Sequence, residues 1–174
     1  LFADFEIENL ICSLLLANLN GLNIKKIISS VNQINSPVGR LKKVSVAGIK
    51  LEVFIDFAHT PEALRKSLMA LKKNYNNMGK IFLVFGCGGD RDKGKRKIMG
   101  KIAESIADKI FITDDNPRYE NAKYIRDEIS KSCKNAICIA NRELAINEAI
   151  SGMNKKDVLL IAGKGHEGYQ EIKG

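Results

Sequence analysis

The chain has 174 residues, of which 45 % are hydrophobic and 28 % charged, with a formal net charge of +8. That balance fits a globular chain of about one domain with part of another, and it excludes a disordered or fibrous class. No apolar run reaches the roughly 18 residues of a membrane span, and the acidic stretch Leu1 to Glu8 lacks the basic start of a secretion signal. Along the chain, Leu10, Leu14 and Leu15, then Ile24, Ile27, Ile28 and Val31, recur at helical spacing and predict two helices broken at Gly21. This hairpin has little of its own to pack against, so residues 1–35 are expected to be the tail of a preceding domain. Ser36 to Gly39 reads as a linker. Beyond it, strands are predicted at 50–55, 80–85, 110–113, 136–140 and 158–162, and helices at 61–73, 94–107, 122–132 and 142–151. Val44 to Val46 is expected to add an antiparallel edge strand. The sequence stops at Gly174, soon after the last strand, and a final strand or helix is expected to be missing beyond it. Strands alternating with helices imply βαβ units, hence an α/β fold with a mostly parallel sheet and helices on both faces.

The 28 basic residues are scattered, no aromatic stacking residues lie among them and there is no Trp. Nucleic acid is therefore not expected as a partner, and the charge suits a small anionic substrate better. Cys12, Cys87, Cys133 and Cys138 show no C-x-x-C spacing and predict reduced core cysteines. No metal site is expected, because His59 and His166 have no third ligand at matching spacing.

In an open parallel sheet, ligands bind outside the carboxyl ends of the strands. Four predicted strands end there in polar clusters: Asp56 to Pro61, Gly86 to Gly94, Asp114 to Arg118, and Gly163 to Glu167. Thr60-Pro61 is a sound helix start, but it does not account for Asp56 or His59. An acid at a strand end suits a ribose, and His59 either meets a base or is satisfied locally. Gly89-x-x-x-x-Gly94-Lys95 nearly matches a phosphate-cradling loop, yet Arg96 stands where Ser or Thr should bind magnesium. Phosphate binding by this loop is rejected, and Arg91 remains at its tip. Asp115-Asn116-Pro117-Arg118 is either a plain turn or a site in which Arg grips a carboxylate while Asp and Asn accept from an ammonium. Glu167 is a candidate acceptor for a second ammonium.

The runs Phe54-Ile55-Asp56-Phe57-Ala58-His59-Thr60-Pro61, Val84 to Arg96, Thr113-Asp114-Asp115-Asn116-Pro117-Arg118 and Ala162-Gly163-Lys164-Gly165-His166-Glu167 resemble, in order, the Mur ligases of cell-wall synthesis. Within that family they look most like the branch that adds meso-diaminopimelate to the UDP-N-acetylmuramoyl dipeptide. The resemblance implies a cytoplasmic, ATP-dependent ligase of three domains, with ATP and Mg2+ bound mainly by the domains other than this one. It implies that 1–35 are the last helices of the central ATPase domain, and that 36–174 form the Rossmann-like amino-acid-binding domain, hinged near Ser36 to Gly39. By resemblance, Asn9, Arg40, Asp56 and His59 approach ATP. Likewise Arg91, Asp115, Asn116, Pro117, Arg118, Gly163 and Glu167 hold meso-diaminopimelate. Lysine-adding relatives usually lack the Arg at 118, since lysine has no distal carboxylate. Glu6 departs from the usual Asn of its stretch. No catalytic residue is assigned within these 174 residues, which carry no complete P-loop and are expected to be inactive alone. A free-standing amino-acid-binding module and a lysine-adding relative are the alternative readings.

Overall fold

The structure, a computed structural model, describes residues 3–46, 49–75 and 79–173. These form two compact units, Leu1–Pro37 and Val38–Gly174.

The first unit holds helices α1 (Asp4–Leu19) and α2 (Ile24–Ser30) and a 3-10 turn, Val31–Gln33. Gly21, at φ +89°, makes the predicted break. Glu6 closes the first turn of α1 by accepting from the Ala3 backbone N–H at 3.0 Å, and Ser36 Oγ donates to its other oxygen at 2.7 Å. Asn23 caps α2 by accepting from Lys25 N–H at 2.9 Å. Much of α1's apolar surface stays exposed, including Ile7, Ile11, Leu15, Leu16 and Leu19.

The second unit is a six-stranded sheet. Its strands are β1 (Lys42–Val46), β2 (Ile49–Asp56), β3 (Ile81–Phe85), β4 (Lys109–Ile112), β5 (Ile137–Cys138) and β6 (Val158–Ala162). The spatial order is β1-β2-β6-β3-β4-β5. Only the β1–β2 pair is antiparallel. The connecting helices are α3 (Pro61–Tyr75), α4 (Gly94–Ile106), α5 (Ala122–Ser130) and α6 (Arg142–Ser151). Helix α3 contacts α4 and α4 contacts α5, while α6 packs on β3, β4 and β6 without joining that row. Strand alternation explains the division. Phe82 and Val84 face the α6 side, with Val53, Phe111, Leu159, Ala145 and Ala149, so Leu83 and Phe85 face the other. Leu64, Leu68 and Leu71 make the wholly buried stripe of α3, each worth about 2 kcal/mol of transfer free energy. Asn121 and Asn141 cap α5 and α6, accepting from Lys123 N–H and Leu144 N–H at 2.9 Å each.

The α/β expectation holds, with two differences. The strand expected at 136–140 contracts to two exposed residues, because β5 is the sheet's outer edge and pairs on one side only. Short edge strands are a usual protection against unwanted pairing. Cys87 and Cys133 are buried as expected, but Cys12 and Cys138 are exposed, each on an element with an uncovered face.

Candidate functional site

The parallel strands point their carboxyl ends to one edge, and the loops after β2, β3, β4 and β6 meet there. The β3 and β4 loops are fastened together. Gly89 N–H donates to Asn116 O at 2.9 Å, and Arg118 Nη1 donates to Gly89 O at 2.9 Å. The backbones approach so closely that a Cβ on Gly89 would sit 1.9 Å from Pro117 O. Pro117 is thus buried beneath the loop rather than offered to a ligand. Arg96, only 1 % exposed, underpins the same junction. Its guanidinium donates to Glu120 at 2.9 Å, to Glu128 at 2.5 Å and to Gly88 O at 3.3 Å. The residue that breaks the P-loop pattern therefore braces the loop from inside. Hydrogen bonding from Arg96 holds the Glu120 carboxyl down at about 2.

The segment after β6 closes the cluster. Arg118, at φ +52°, donates its backbone N–H to Glu171 O at 3.1 Å, and Lys173 N–H donates to Arg118 O at 2.9 Å. Arg118 Nε pairs with the Glu171 carboxylate at 2.9 Å. Gln170 Nε2 donates to Asp114 O at 3.0 Å and Asp115 O at 2.8 Å. Asp114 is paired with Arg126, whereas Asp115 has no ion pair among the described residues. Asp115 Oδ1 accepts from Asn116 N–H at 2.7 Å, and Oδ2 would lie 3.1 Å from a Cβ on Gly163. Gly163 adopts φ +111° and leaves that carboxylate uncovered.

Lys164 turns inward between Gly163 and Gly165. Its Nζ donates to Asn116 Oδ1 at 2.7 Å and to Glu167 Oε2 at 3.2 Å. Asn116 Oδ1 also accepts from Glu171 N–H at 2.9 Å. Both partners can only donate, so the accepting atom must be oxygen and Nδ2 takes the other side. That nitrogen makes no hydrogen bond among the described residues and is not one of the fully buried unpaired atoms, so it keeps some access from the surface. The same reasoning leaves Arg118 Nη2 open. The expectation that Asn116 accepts from an ammonium is corrected: its acceptor is already taken, and it presents a donor. Alongside, a pocket of about 430 Å³ opens between α6 and the segment after β6, lined among others by Arg142, Lys164, Glu167 and Tyr169. Arg142 Nη2 donates to Ala162 O at 2.9 Å, and its Nη1 is buried without a partner.

A second group lies at the end of β2. The Arg40 guanidinium sits 4.9 Å from the Phe57 ring centre, and Phe57 meets the His59 ring edge-on at 4.8 Å. His59 Nδ1 bonds Phe57 O at 2.9 Å, and its ring is exposed. Asp56 is 5 % exposed and accepts from Ser67 Oγ. Burial pushes its carboxyl above the ordinary carboxylate value, against hydrogen bonds from Ser67 and from the Leu41 and Phe57 backbone. Its carboxylate therefore faces inward, engaged by Ser67, and its carbonyl accepts from Gly163 N–H at 3.0 Å and Gly165 N–H at 3.2 Å.

The structure thus brings Asp115, Asn116, Arg118, Gly163 and Glu167 together. It leaves Arg91 exposed, with no ion pair among the described residues. It places Arg40, Asp56 and His59 at a neighbouring strand end, and Asn9 exposed on α1 in the other unit. Lys164, Glu171 and Arg96 were missed as site-builders. Lys164 had one signal, a cation between two glycines at a strand end.

Fold and loops together define the class: the family described as Mur ligase, glutamate ligase domain, matches residues 39–165, and the chain belongs to it. Among curated proteins it is 44 % identical to the UDP-N-acetylmuramoyl-L-alanyl-D-glutamate–2,6-diaminopimelate ligase of Rickettsia bellii, over 99 % of this chain and 36 % of that protein. It is likewise 44 % identical to the ligase of the same name from Buchnera aphidicola, over 99 % of this chain and 35 % of the relative. A solved structure of such a ligase superposes with a TM-score of 0.72 at 34 % identity, over the whole of this chain and 36 % of that one. UDP-N-acetylmuramate-alanine ligase from Thermotoga maritima shares the fold at TM-score 0.68 and 20 % identity, covering 94 % of this chain and 35 % of its own. The chain therefore spans about a third of the length of the relatives it matches.

Proposed function

We propose that this chain forms the amino-acid-binding part of an ATP-dependent ligase that joins meso-diaminopimelate to UDP-N-acetylmuramoyl-L-alanyl-D-glutamate in the cytoplasm. The observation that carries this reading is the pairing of open groups: Arg118 Nη2 and Asn116 Nδ2 as donors beside the unpaired Asp115 carboxylate. Donors grip a carboxylate and an acid accepts from an ammonium, so the set suits one end of an amino acid. Arg118 and Asn116 take a carboxylate, Asp115 and Glu167 take ammonium, Gly163 leaves room, and Pro117 shapes the loop. Arg91, exposed and with no ion pair among the described residues, is available to meet the second carboxylate. The ligases named above support this choice of substrate.

ATP supplies the phosphoryl group that activates the acceptor's carboxylate. Arg40 and His59 fit contact with such an anionic nucleotide, one by charge and one by ring. Asp56 holds their loop from beneath, and Asn9 is assigned to adenine. Mg2+ is taken to arrive with the nucleotide's phosphates, since no three of His, Cys, Asp and Glu converge among the described residues. No helix among them is long and apolar enough to cross a membrane.

Calorimetry with meso-diaminopimelate and L-lysine tests the reading. The first should bind and the second should bind at least about 100-fold more weakly, because lysine lacks the second carboxylate and leaves one set of guanidinium donors without its charge-assisted partner. Arg118→Lys should lose most of that discrimination. Equal binding of the two amino acids, or binding of neither, would overturn the assignment.

A further inference from the structure

We propose that Lys164 is a positioning residue, which fixes Asn116 as a donor and Glu167 as an acceptor and so sets which end of the amino acid each receives. The inference rests on the amino-acid-binding reading above and adds the residue that orients the ligands' partners.

Lys164 is 6 % exposed, and a buried ammonium persists only where its donors are satisfied. Here they go to Asn116 Oδ1 at 2.7 Å and Glu167 Oε2 at 3.2 Å, two residues on different loops. Gly163 at φ +111° and Gly165 at φ +53° let the backbone turn on both sides of it, so the side chain points back under the β4 loop. An asparagine amide has two orientations of nearly equal shape, one offering oxygen and one nitrogen. An ammonium beneath it admits only the first inward, which commits Nδ2 outward as a donor beside Arg118 Nη2. The same ammonium anchors Glu167 through one carboxylate oxygen, with the other available to a ligand cation. Removing the ammonium leaves the Glu171 N–H as the one donor holding the amide oxygen inward among the described residues, which loosens the amide, and it lets Glu167 swing.

Two variants and one ligand-free measurement test this in the complete ligase. Lys164→Met keeps the stem and removes the charge; meso-diaminopimelate affinity should fall about 10- to 100-fold, the loss of charge-assisted bonds at two ligand partners. Asn116→Asp keeps an oxygen for Lys164 and so preserves the bridge, but it turns the outward donor into an acceptor. It should fold as the wild type does and lose binding to at least the same degree. In 1H–15N spectra without ligand, the Asn116 side-chain amide should give one fixed pair of resonances, which broaden or shift in Lys164→Met. An unchanged pair in that variant overturns the positioning role whether or not the wild type binds meso-diaminopimelate. Undiminished binding by Asn116→Asp overturns it too, even if Lys164→Met fails to fold. Absence of binding by the wild type, with the amide resonances responding as stated, would instead overturn the amino-acid reading and leave the positioning role standing.

Discussion

Arg96 offers the most direct test of how the β3 loop is held. Arg96→Met keeps most of the apolar stem and removes the guanidinium. Three groups then lose their donor: Glu120 at 2.9 Å, Glu128 at 2.5 Å and Gly88 O at 3.3 Å. Breaking a buried ion pair by removing one partner costs about 3–5 kcal/mol. The Glu128 side chain is 44 % exposed and that of Glu120 17 %, so both acids regain some hydration. Arg96 Nε is already buried without a partner, so its removal costs nothing further. The lower end, about 3 kcal/mol, is therefore expected. In urea unfolding followed by circular dichroism at pH 7, that moves the midpoint down by about 1.5 M, taking a slope of about 2 kcal/mol per M. The pH dependence sharpens the test. Glu120 titrates at about 2 in the folded protein against an ordinary 4.5, so its stabilisation is complete above 4.5 and fades as pH falls towards 2. The gap between wild type and variant should narrow over that window. A loss under about 1 kcal/mol at pH 7, or a gap that widens on acidification, would refute the reasoning.

Gly89→Ala drives a Cβ to 1.9 Å from Pro117 O, a backbone atom that cannot swing aside, and should destabilise by at least about 2 kcal/mol. Gly168→Ala, which meets nothing within 4 Å, is the matched control and should be near neutral in the same melt. Burial pushes the Cys87 thiol up to about 12 and the Cys133 thiol up to about 11. Burial raises the Cys138 thiol too, so a disulfide reagent at pH 8 should titrate Cys12 first, Cys138 more slowly, and all four only after denaturation. Fast reaction of three or more in the native protein would contradict this burial.

Much of this was legible in the sequence because the signals are local. Ile81 to Phe85 and Val158 to Ala162 are short apolar runs rich in β-branched and aromatic residues and followed by glycine, as suits a buried strand, and the polar clusters after them mark the site edge. Strand order was not legible, since nothing in residues 158–162 says that they enter between β2 and β3. The supports of the site were hidden for a similar reason. Lys164 meets Asn116 across 48 positions, and Arg96 meets Glu120 across 24. A charged residue reads as solvent-facing until its distant partner is known. Asp56 shows the converse: an acid at a strand end suggested a ligand contact, but Ser67, one helix later, draws it inward.

The place of β6 has a consequence for how the chain acquires its shape. Until Val158 to Ala162 leave the ribosome, β2 and β3 have no strand to bridge them, and the halves they belong to stay separate. β6, the last strand among the described residues, is thus the keystone, and it carries Lys164 in its wake, so assembly of the sheet and assembly of the ligand site become coupled. A nascent chain stalled before residue 158 should be protease-sensitive across residues 38–157, and one released beyond the Lys164 turn should become resistant there all at once.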